Sequence, residues 1–200
     1  MKKFVIINLE KIRKERVMAL KGKINEVPGN LFDYDTQGYS LVHCIGADYR
    51  MKDGIAKYFQ IRYKTEDELK NNFFVRTWTG HGRCVITNNN GVCNLVVKRQ
   101  YFNKPTLKIL REALVDMKAQ CETRGIYKLA MPYIGCGIDG LDWNDVKQII
   151  VDIFASTEFD IKIVYLEDYI KGEIKDPDLE KINFGKDRKA IDGNLEHLYY

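Results

Sequence analysis

Three glycines within six residues, Gly135, Gly137 and Gly140, with one acid among them, Asp139, form the stretch of this chain best suited to chemistry. The full run is Met131-Pro-Tyr-Ile-Gly-Cys-Gly-Ile-Asp-Gly-Leu-Asp-Trp143. A glycine-rich loop between a strand and a helix lets backbone N–H groups approach a phosphate without interference from Cβ atoms. The expected chemistry is a grip on an anionic ligand, with Asp139 acting on it. The same pattern also serves a chain that merely turns, and a lone G-x-G carries little weight.

The elements that must position this loop are legible on either side. Tyr127-Lys-Leu-Ala130 reads as a buried strand, and residues 142–156 carry apolar side chains at helical spacing. An earlier unit repeats the plan: strand Tyr39 to Ile45, a glycine-punctuated loop 46–54, then a helix over 55–63. Thr65-Glu-Asp-Glu68 has the form of a capping box opening a short helix to about Asn71. Arg83 to Thr87 and Val92 to Val97 flank Asn88-Asn-Asn-Gly91, a strong hairpin signal, and Lys98 ends the second of these strands. Lys104-Pro-Thr106 begins a long helix to about Arg124, with Gly125 as its stop. Asp160 to Tyr165 is a last core strand.

The ends of the chain are less regular. Phe4 to Leu9 reads as a buried strand, and residues 10–23 as either a basic helix or a strand and loop. A strand ends at Asn25-Glu-Val-Pro28, and Asp33 to Gly38 is a turn-rich loop. Residues 167–200 are charged and poor in large aliphatics, which fits a packed extension or a partly disordered tail. Helices alternating with strands give an α/β fold: a three-layer sandwich of a mixed sheet with helices on both faces. Ligands in such sheets bind beyond the carboxyl ends of the strands. The loop after Ile45, the loop after Pro132 and Lys98 all lie at carboxyl ends, so one crevice can collect all three.

Composition sets the outer bounds. Two hundred residues suit one domain with an appendage, and 45% hydrophobic with 30% charged residues is ordinary for a globular chain. A net charge of +4 is compatible with a phosphate-bearing ligand or nucleic acid without requiring either. Five cysteines, with no C-x-x-C pair, argue against a zinc ribbon or redox motif, and no metal site is expected. The N-terminal apolar run is too short for a signal peptide, and nothing approaches the ~18 apolar residues of a membrane span. A cytoplasmic (or nucleoid or nuclear) monomer with reduced thiols and no membrane contact is expected.

Six segments in order carry a family resemblance: Gly29-Asn-Leu-Phe, Ser40-Leu-Val-His-Cys-Ile, Arg50-Met-x-x-Gly-Ile-Ala56, Leu95-Val-Val-Lys98, Lys104-Pro-Thr106, and Met131-Pro-x-Ile-Gly-Cys-Gly-Ile-Asp-x-Leu-x-Trp143. Together they resemble a macrodomain, specifically its terminal ADP-ribose glycohydrolase branch, which is similar to the antitoxin macrodomains that strip ADP-ribose from DNA. The resemblance implies a macrodomain over residues 1–166, best matched over 24–166, with 167–200 as an extension. It implies ADP-ribose in the crevice, with Asn30 and Leu31 at the adenine and Gly46, Met51, Gly54 and Ile55 along the pyrophosphate and distal ribose. Tyr133, Ile134, Gly135, Cys136, Gly137 and Ile138 would supply backbone amides to the phosphates. Lys98 would attack the anomeric carbon of the distal ribose, and Asp139 would accept the proton and help resolve the lysyl adduct. A lysine attacks only as the neutral amine, and a carboxylate within hydrogen-bond reach can take its proton. No cofactor is implied. Asn30 stands where the family often has Asp, and Met51-Lys-Asp-Gly54 replaces a smaller, glycine-rich loop.

The residues alone leave a rival reading open, in which Lys98 simply reaches solvent at a strand end and Asp139 caps the following helix. Beyond a hydrolase acting on ADP-ribosylated protein or DNA, the sequence fits a non-catalytic ADP-ribose reader or an ADP-ribose 1″-phosphate phosphatase. A nucleic-acid-binding domain using Arg99, Lys104 and the tail is the last alternative. His43 is expected to be a satisfied strand residue, Cys44 core, Cys136 chosen for size, and Trp143 a packing residue. Trp78 and His81 lie in a loop whose place the pattern does not fix.

Overall fold

The computed structural model describes residues 23–89 and 91–166. The strand expected over Phe4–Leu9, the segment 10–22 and the extension 167–200 lie outside the described residues. Six strands form one sheet: β1 (Lys23–Pro28), β2 (Ser40–Gly46), β3 (Arg83–Thr87), β4 (Val92–Lys98), β5 (Lys128–Met131) and β6 (Asp160–Tyr165). Their order across the sheet is β1-β6-β5-β2-β4-β3, and every neighbouring pair is parallel except β3 with β4. The antiparallel pair is the hairpin read from Asn88-Asn89, both of which hold positive φ, as its tight turn requires.

The helices are α1 (Gly54–Tyr63), α2 (Glu66–Asn71), α3 (Phe73–Arg76), α4 (Leu107–Arg124) and α5 (Trp143–Phe154), with a 3-10 helix over Leu31–Gln37. Strand alternation sorts the core onto two faces. Val42, Cys93, Leu95 and Val97 pack with Leu110, Leu114 and Met117 of α4 and Ile150 and Phe154 of α5. Leu41 and Val92 face the other way, onto Phe32 of the 3-10 helix and Tyr58 and Phe59 of α1. Nearly every side chain of β2 and β4 is buried, because helices cover both faces there. The three-layer mixed sandwich expected from the sequence is the fold observed.

Several local readings change. The turn-rich loop 33–38 is most of the 3-10 helix, whose start is capped when Asn30 Oδ1 accepts from Phe32 N at 3.0 Å. Thr65 precedes α2 but makes no capping hydrogen bond, and its buried Oγ1 has no partner among the described residues. The capping box is therefore absent. The long helix begins at Leu107, with Thr106 as its cap rather than its first turn.

His43 lies fully buried in β2. Its Nε2 lies 2.8 Å from Asn94 Oδ1, and Asn94 Nδ2 in turn donates to Val85 O and Thr87 Oγ1 at 2.9 Å each. Because that Asn94 oxygen can only accept, His43 Nε2 carries the proton. The ring stacks on Phe59 at 3.8 Å with 7° between planes, and burial pushes its pKa down to about 4. It is a neutral core residue, as expected.

Candidate active site

Because β1, β6, β5, β2 and β4 run parallel, their carboxyl ends share one edge of the sheet, and a cavity of about 510 Å³ opens along that edge. Its lining runs from Asn30 and Leu31 after β1 and Val164, Tyr165 and Leu166 at β6, past the 132–139 loop after β5, to Lys98 at the end of β4. The register irregularity between β2 and β4 falls at this edge: Ile45 pairs with Val96, but Gly46 pairs with Lys98. Such slips re-aim side chains where a sheet meets a site. Ala47 N then donates to Lys98 O at 2.8 Å, tying the 46–53 loop to the strand end.

The central contact of the cavity is Lys98 Nζ to Asp139 Oδ1, 2.5 Å, between side chains only 10% and 11% exposed. A charge-assisted hydrogen bond this sheltered gives a proton a direct path between amine and carboxylate. Asp139 does not cap α5. That work falls to Asp142, whose Oδ1 accepts from Asn144 N at 2.8 Å and Asp145 N at 3.3 Å. The alternative in which Lys98 reaches solvent and Asp139 caps the helix does not describe this site.

The glycine loop is folded by its own backbone. Cys136 N donates to Tyr133 O, Gly140 N to Gly137 O, and Leu141 N to Gly135 O, all within 2.9–3.1 Å. Gly135 holds φ +72°, and a Cβ there would lie 2.9 Å from Leu141 Cδ1. The amides of Gly137 and Ile138 have no partner among the described residues, so they are available to an anion. The 46–53 loop and the glycine loop meet over the cavity, where Ile138 Cδ1 lies 3.0 Å from the Cβ position that Gly54 lacks. Lys104 donates to the Ile138 carbonyl, bracing the residue before Asp139.

Near the β1 and β6 end the wall is aromatic. Tyr133 stacks on Trp143 at 4.2 Å with 20° between planes, and lies 5.9 Å from the Tyr165 ring. Its hydroxyl donates to Glu26 Oε2 at 3.0 Å, and Lys147 pairs with Glu26 Oε1 at 2.5 Å. Burial pushes the Glu26 carboxyl up, but hydrogen bonds from Lys147 and Tyr133 outweigh that and hold it below its ordinary value. Tyr133 itself is pushed up to about 12, by burial first and then by Glu26.

The two cysteines on the cavity wall are not nucleophiles. Burial pushes the Cys136 thiol up to about 12, and drives Cys44 well above its ordinary range, so neither forms a thiolate near neutral pH.

Of the residues named from the sequence, Lys98, Asp139, Asn30, Leu31, Gly46, Gly54, Ile55 and the whole Tyr133–Ile138 run line this one cavity. Met51 does not. Its side chain is buried among Ile45, Leu69 and Val75, because the 46–53 loop turns it inward and presents Arg50 and Asp53 instead. Sequence reading also missed Tyr101, Phe102, Tyr165 and Leu166, all on the lining. Tyr165 was findable as the carboxyl end of the last strand, whereas Tyr101 and Phe102 sit in a short aperiodic turn. Trp78 and His81 are placed by the fold away from the lining: Trp78 Nε1 donates to His81 O at 2.7 Å, and the indole packs against the buried cluster that includes Met51. Among the described residues no cluster of His, Cys, Asp and Glu could hold a metal ion, and no helix is long and apolar enough to cross a membrane.

Comparison with known proteins matches residues 76–150 to the Macro domain family model. The ADP-ribose glycohydrolase OARD1 of Bos taurus is 36% identical over 144 residues, covering 72% of this chain and 92% of that protein. The DNA ADP-ribosyl glycohydrolase of Mycobacterium tuberculosis is 26% identical over 133 residues, covering 63% of this chain and 37% of that protein. Among solved structures, the macrodomain of Mycobacterium tuberculosis DarG superposes with a TM-score of 0.59 at 25% identity, covering 71% of this chain and 98% of that one.

Proposed function

The chain belongs to the macrodomain family, and on that premise we propose that it is an ADP-ribosyl hydrolase that removes ADP-ribose from a modified macromolecule. The observation that carries this reading is the sheltered 2.5 Å pair of Lys98 and Asp139 at the β4 end of a cavity long enough for a dinucleotide-like ligand. From β6 to β4 is three strand spacings of about 4.8 Å, on the order of 14 Å, with the aromatic wall at one end and the lysine at the other. Adenosine belongs at the Asn30, Leu31 and Tyr165 end. The pyrophosphate belongs under the Gly137 and Ile138 amides, and the distal ribose belongs against Lys98.

In the reaction Lys98 gives a proton to Asp139 and its amine lone pair attacks C1″ of the distal ribose. The bond from C1″ to the acceptor breaks, and the acceptor leaves with the electron pair and takes the proton that Asp139 holds, which restores the carboxylate. Water then attacks the same carbon, Asp139 accepts its proton, and the bond to Lys98 breaks to return the amine and free ADP-ribose. Ile138, Gly54 and Ile55 exclude bulk water from the pyrophosphate while this happens.

A pure reader of ADP-ribose has no use for an amine and a carboxylate at the ribose end. The deciding experiment incubates the chain with ADP-ribosylated protein and ADP-ribosylated DNA, traps the reaction with a reductant, and looks by mass spectrometry for an ADP-ribosyl adduct on Lys98. Release of ADP-ribose that is abolished by Lys98→Ala, with the adduct mapped to Lys98, is expected. Tight ADP-ribose binding without release from any substrate would reduce the chain to a reader.

A further inference from the structure

At the β1 and β6 end the cavity is lined by Asn30, Leu31 and Phe32 on one side and by Val164 and Tyr165 on the other. Gly29 N donates to Tyr165 O at 2.9 Å and ties the two sides together. Leu31 and Phe32 are apolar and buried, so Asn30 carries the polar side chain of its run. We propose that the Asn30 amide reads the edge of the base, and that it admits a 6-oxopurine such as hypoxanthine at least as readily as adenine. The inference rests on the hydrolase reading above, which puts the nucleoside at this end, and it widens the substrate class to inosine diphosphate ribose.

Orientation decides what the amide offers. Asn30 precedes the 3-10 helix, and its Oδ1 accepts from Phe32 N at 3.0 Å. A backbone N–H only donates, so the atom facing it is the amide oxygen, and the other branch of the side chain is the nitrogen. Turning the amide over would set Nδ2 against that N–H and forfeit the cap. The main chain is held as well, because Asn30 O accepts from Asp33 N at 3.2 Å.

This fixed amide changes the chemistry presented to a purine. Adenine carries an amino donor at C6, whereas hypoxanthine carries a carbonyl acceptor on the same carbon. An aspartate at position 30 would cap with one oxygen and present the second, which can only accept. That carboxylate suits the adenine amino group and would set acceptor against acceptor with hypoxanthine. Asn30 presents a nitrogen in its place. The nitrogen carries two hydrogens, so it can hold a protein partner and still donate to the hypoxanthine carbonyl. The second lone pair of Oδ1 can accept from N1–H of the same base. Adenine is met too, with Nδ2 donating to its N1 and Oδ1 accepting from its amino group.

The surroundings raise no charge against a carbonyl. The acids on the lining are Asp53 and Asp139, which belong to the loops after β2 and β5. Glu26, on β1, accepts from the Tyr133 hydroxyl at 3.0 Å and pairs with Lys147 at 2.5 Å. With its proton directed to Glu26, the Tyr133 hydroxyl does not compete with Asn30 as a donor to the base.

The test compares the full wild-type chain with Asn30→Asp, a substitution that keeps the helix cap and so the fold. Calorimetry gives the affinity of each protein for ADP-ribose and for inosine diphosphate ribose. The wild type is expected to bind the inosine compound within about threefold of ADP-ribose, or tighter. Asn30→Asp should move that ratio toward ADP-ribose by about tenfold, the scale of one mismatched polar contact in a closed site. A wild-type preference for ADP-ribose beyond about threefold, or a ratio that Asn30→Asp leaves in place, would overturn the proposal and leave the hydrolase reading standing. Absence of any affinity for ADP-ribose in the wild type would instead sink the hydrolase reading, and this proposal with it.

Discussion

Asp139 and Asp142, three residues apart in one loop, have different jobs: Asp142 accepts from the first amides of α5, and Asp139 lies 2.5 Å from Lys98 forty-one positions away in the sequence. A helix start needs only one acceptor of this kind. With the cap filled by its neighbour, Asp139 is released to face the cavity.

The two aspartates should therefore separate cleanly on substitution. Asp142→Ala should lower stability by about 1 kcal/mol, the usual cost of a lost cap, with turnover of the folded protein largely kept. Asp139→Asn should reduce kcat by about 10²–10⁴, the range for losing a positioned proton acceptor, and should also lower the melting temperature because Lys98 loses its counter-charge. Parallel thermal melts and ADP-ribose release assays check both. A large kcat loss in Asp142→Ala at a temperature where it is folded would contradict this division.

His43 makes stability depend on pH. Its folded pKa of about 4 lies below the ordinary 6.5, so between those values the unfolded chain binds a proton that the folded chain refuses. The stability it contributes is fully present above about pH 6.5 and is lost as pH falls toward 4. The shift corresponds to about 3 kcal/mol across that window. His43→Gln keeps an amide donor for Asn94 and removes the titration, so its melting temperature should be lower at pH 7.5 and change less on going to pH 4.5. A variant that follows the wild-type pH profile throughout would assign the dependence to other groups.

Glu26 should act on the substrate through Tyr133. It accepts from the Tyr133 hydroxyl and from Lys147, and so fixes the ring that stacks on Trp143 and lines the β1 and β6 end of the cavity. Glu26→Ala is expected to raise KM severalfold with little change in kcat, because the ring lies at the far end of the cavity from Lys98. Tyr133→Phe, which loses the same hydrogen bond, should give a similar KM, and the double variant should be no worse than either. Since the Glu26 carboxyl sits below its ordinary value, its hold on Tyr133 persists above about pH 4.5 and fails only in stronger acid. Additive effects of the two substitutions would show that the pair does not act as a unit.

How much of this was legible follows from what each residue must satisfy. Strands β2, β4 and β5 announce themselves because burial on both faces demands continuous apolar runs, and α4 because Thr106 and Gly125 mark its ends. Lys98 is visible as the polar residue that stops a buried run. Less was visible where a short side-chain choice decides direction. Met51 and Arg50 are adjacent, and only the packing of the loop against Leu69 and Val75 turns the first inward and the second to the cavity. The 3-10 helix at Leu31–Gln37 has too few turns to show a period, and Tyr101 and Phe102 lie in a turn whose shape is set from outside by Asp48. Thr65 shows the converse, a capping signature without the cap, its hydroxyl buried and without a partner among the described residues.

The Lys98 and Asp139 pair should prove dispensable for folding. Both side chains are about nine-tenths shielded from water, and withdrawing two charges from solvent opposes most of what their attraction returns. Removing one partner leaves the other buried without its counter-charge, which costs on the order of 3–5 kcal/mol in fully buried pairs and less at this partly open site. Lys98→Met or Asp139→Leu alone should therefore lower the melting temperature. The double variant, which leaves no orphaned charge and fills the space with apolar groups, should recover it and match or exceed the wild type. All three should lack turnover. Thermal melts of the four proteins form a double-mutant cycle that isolates the coupling between the two residues. A double variant as unstable as the worse single would mean the pair is retained for the fold. Recovery of stability without activity would mean that two charges are held together in this cavity for the reaction they perform.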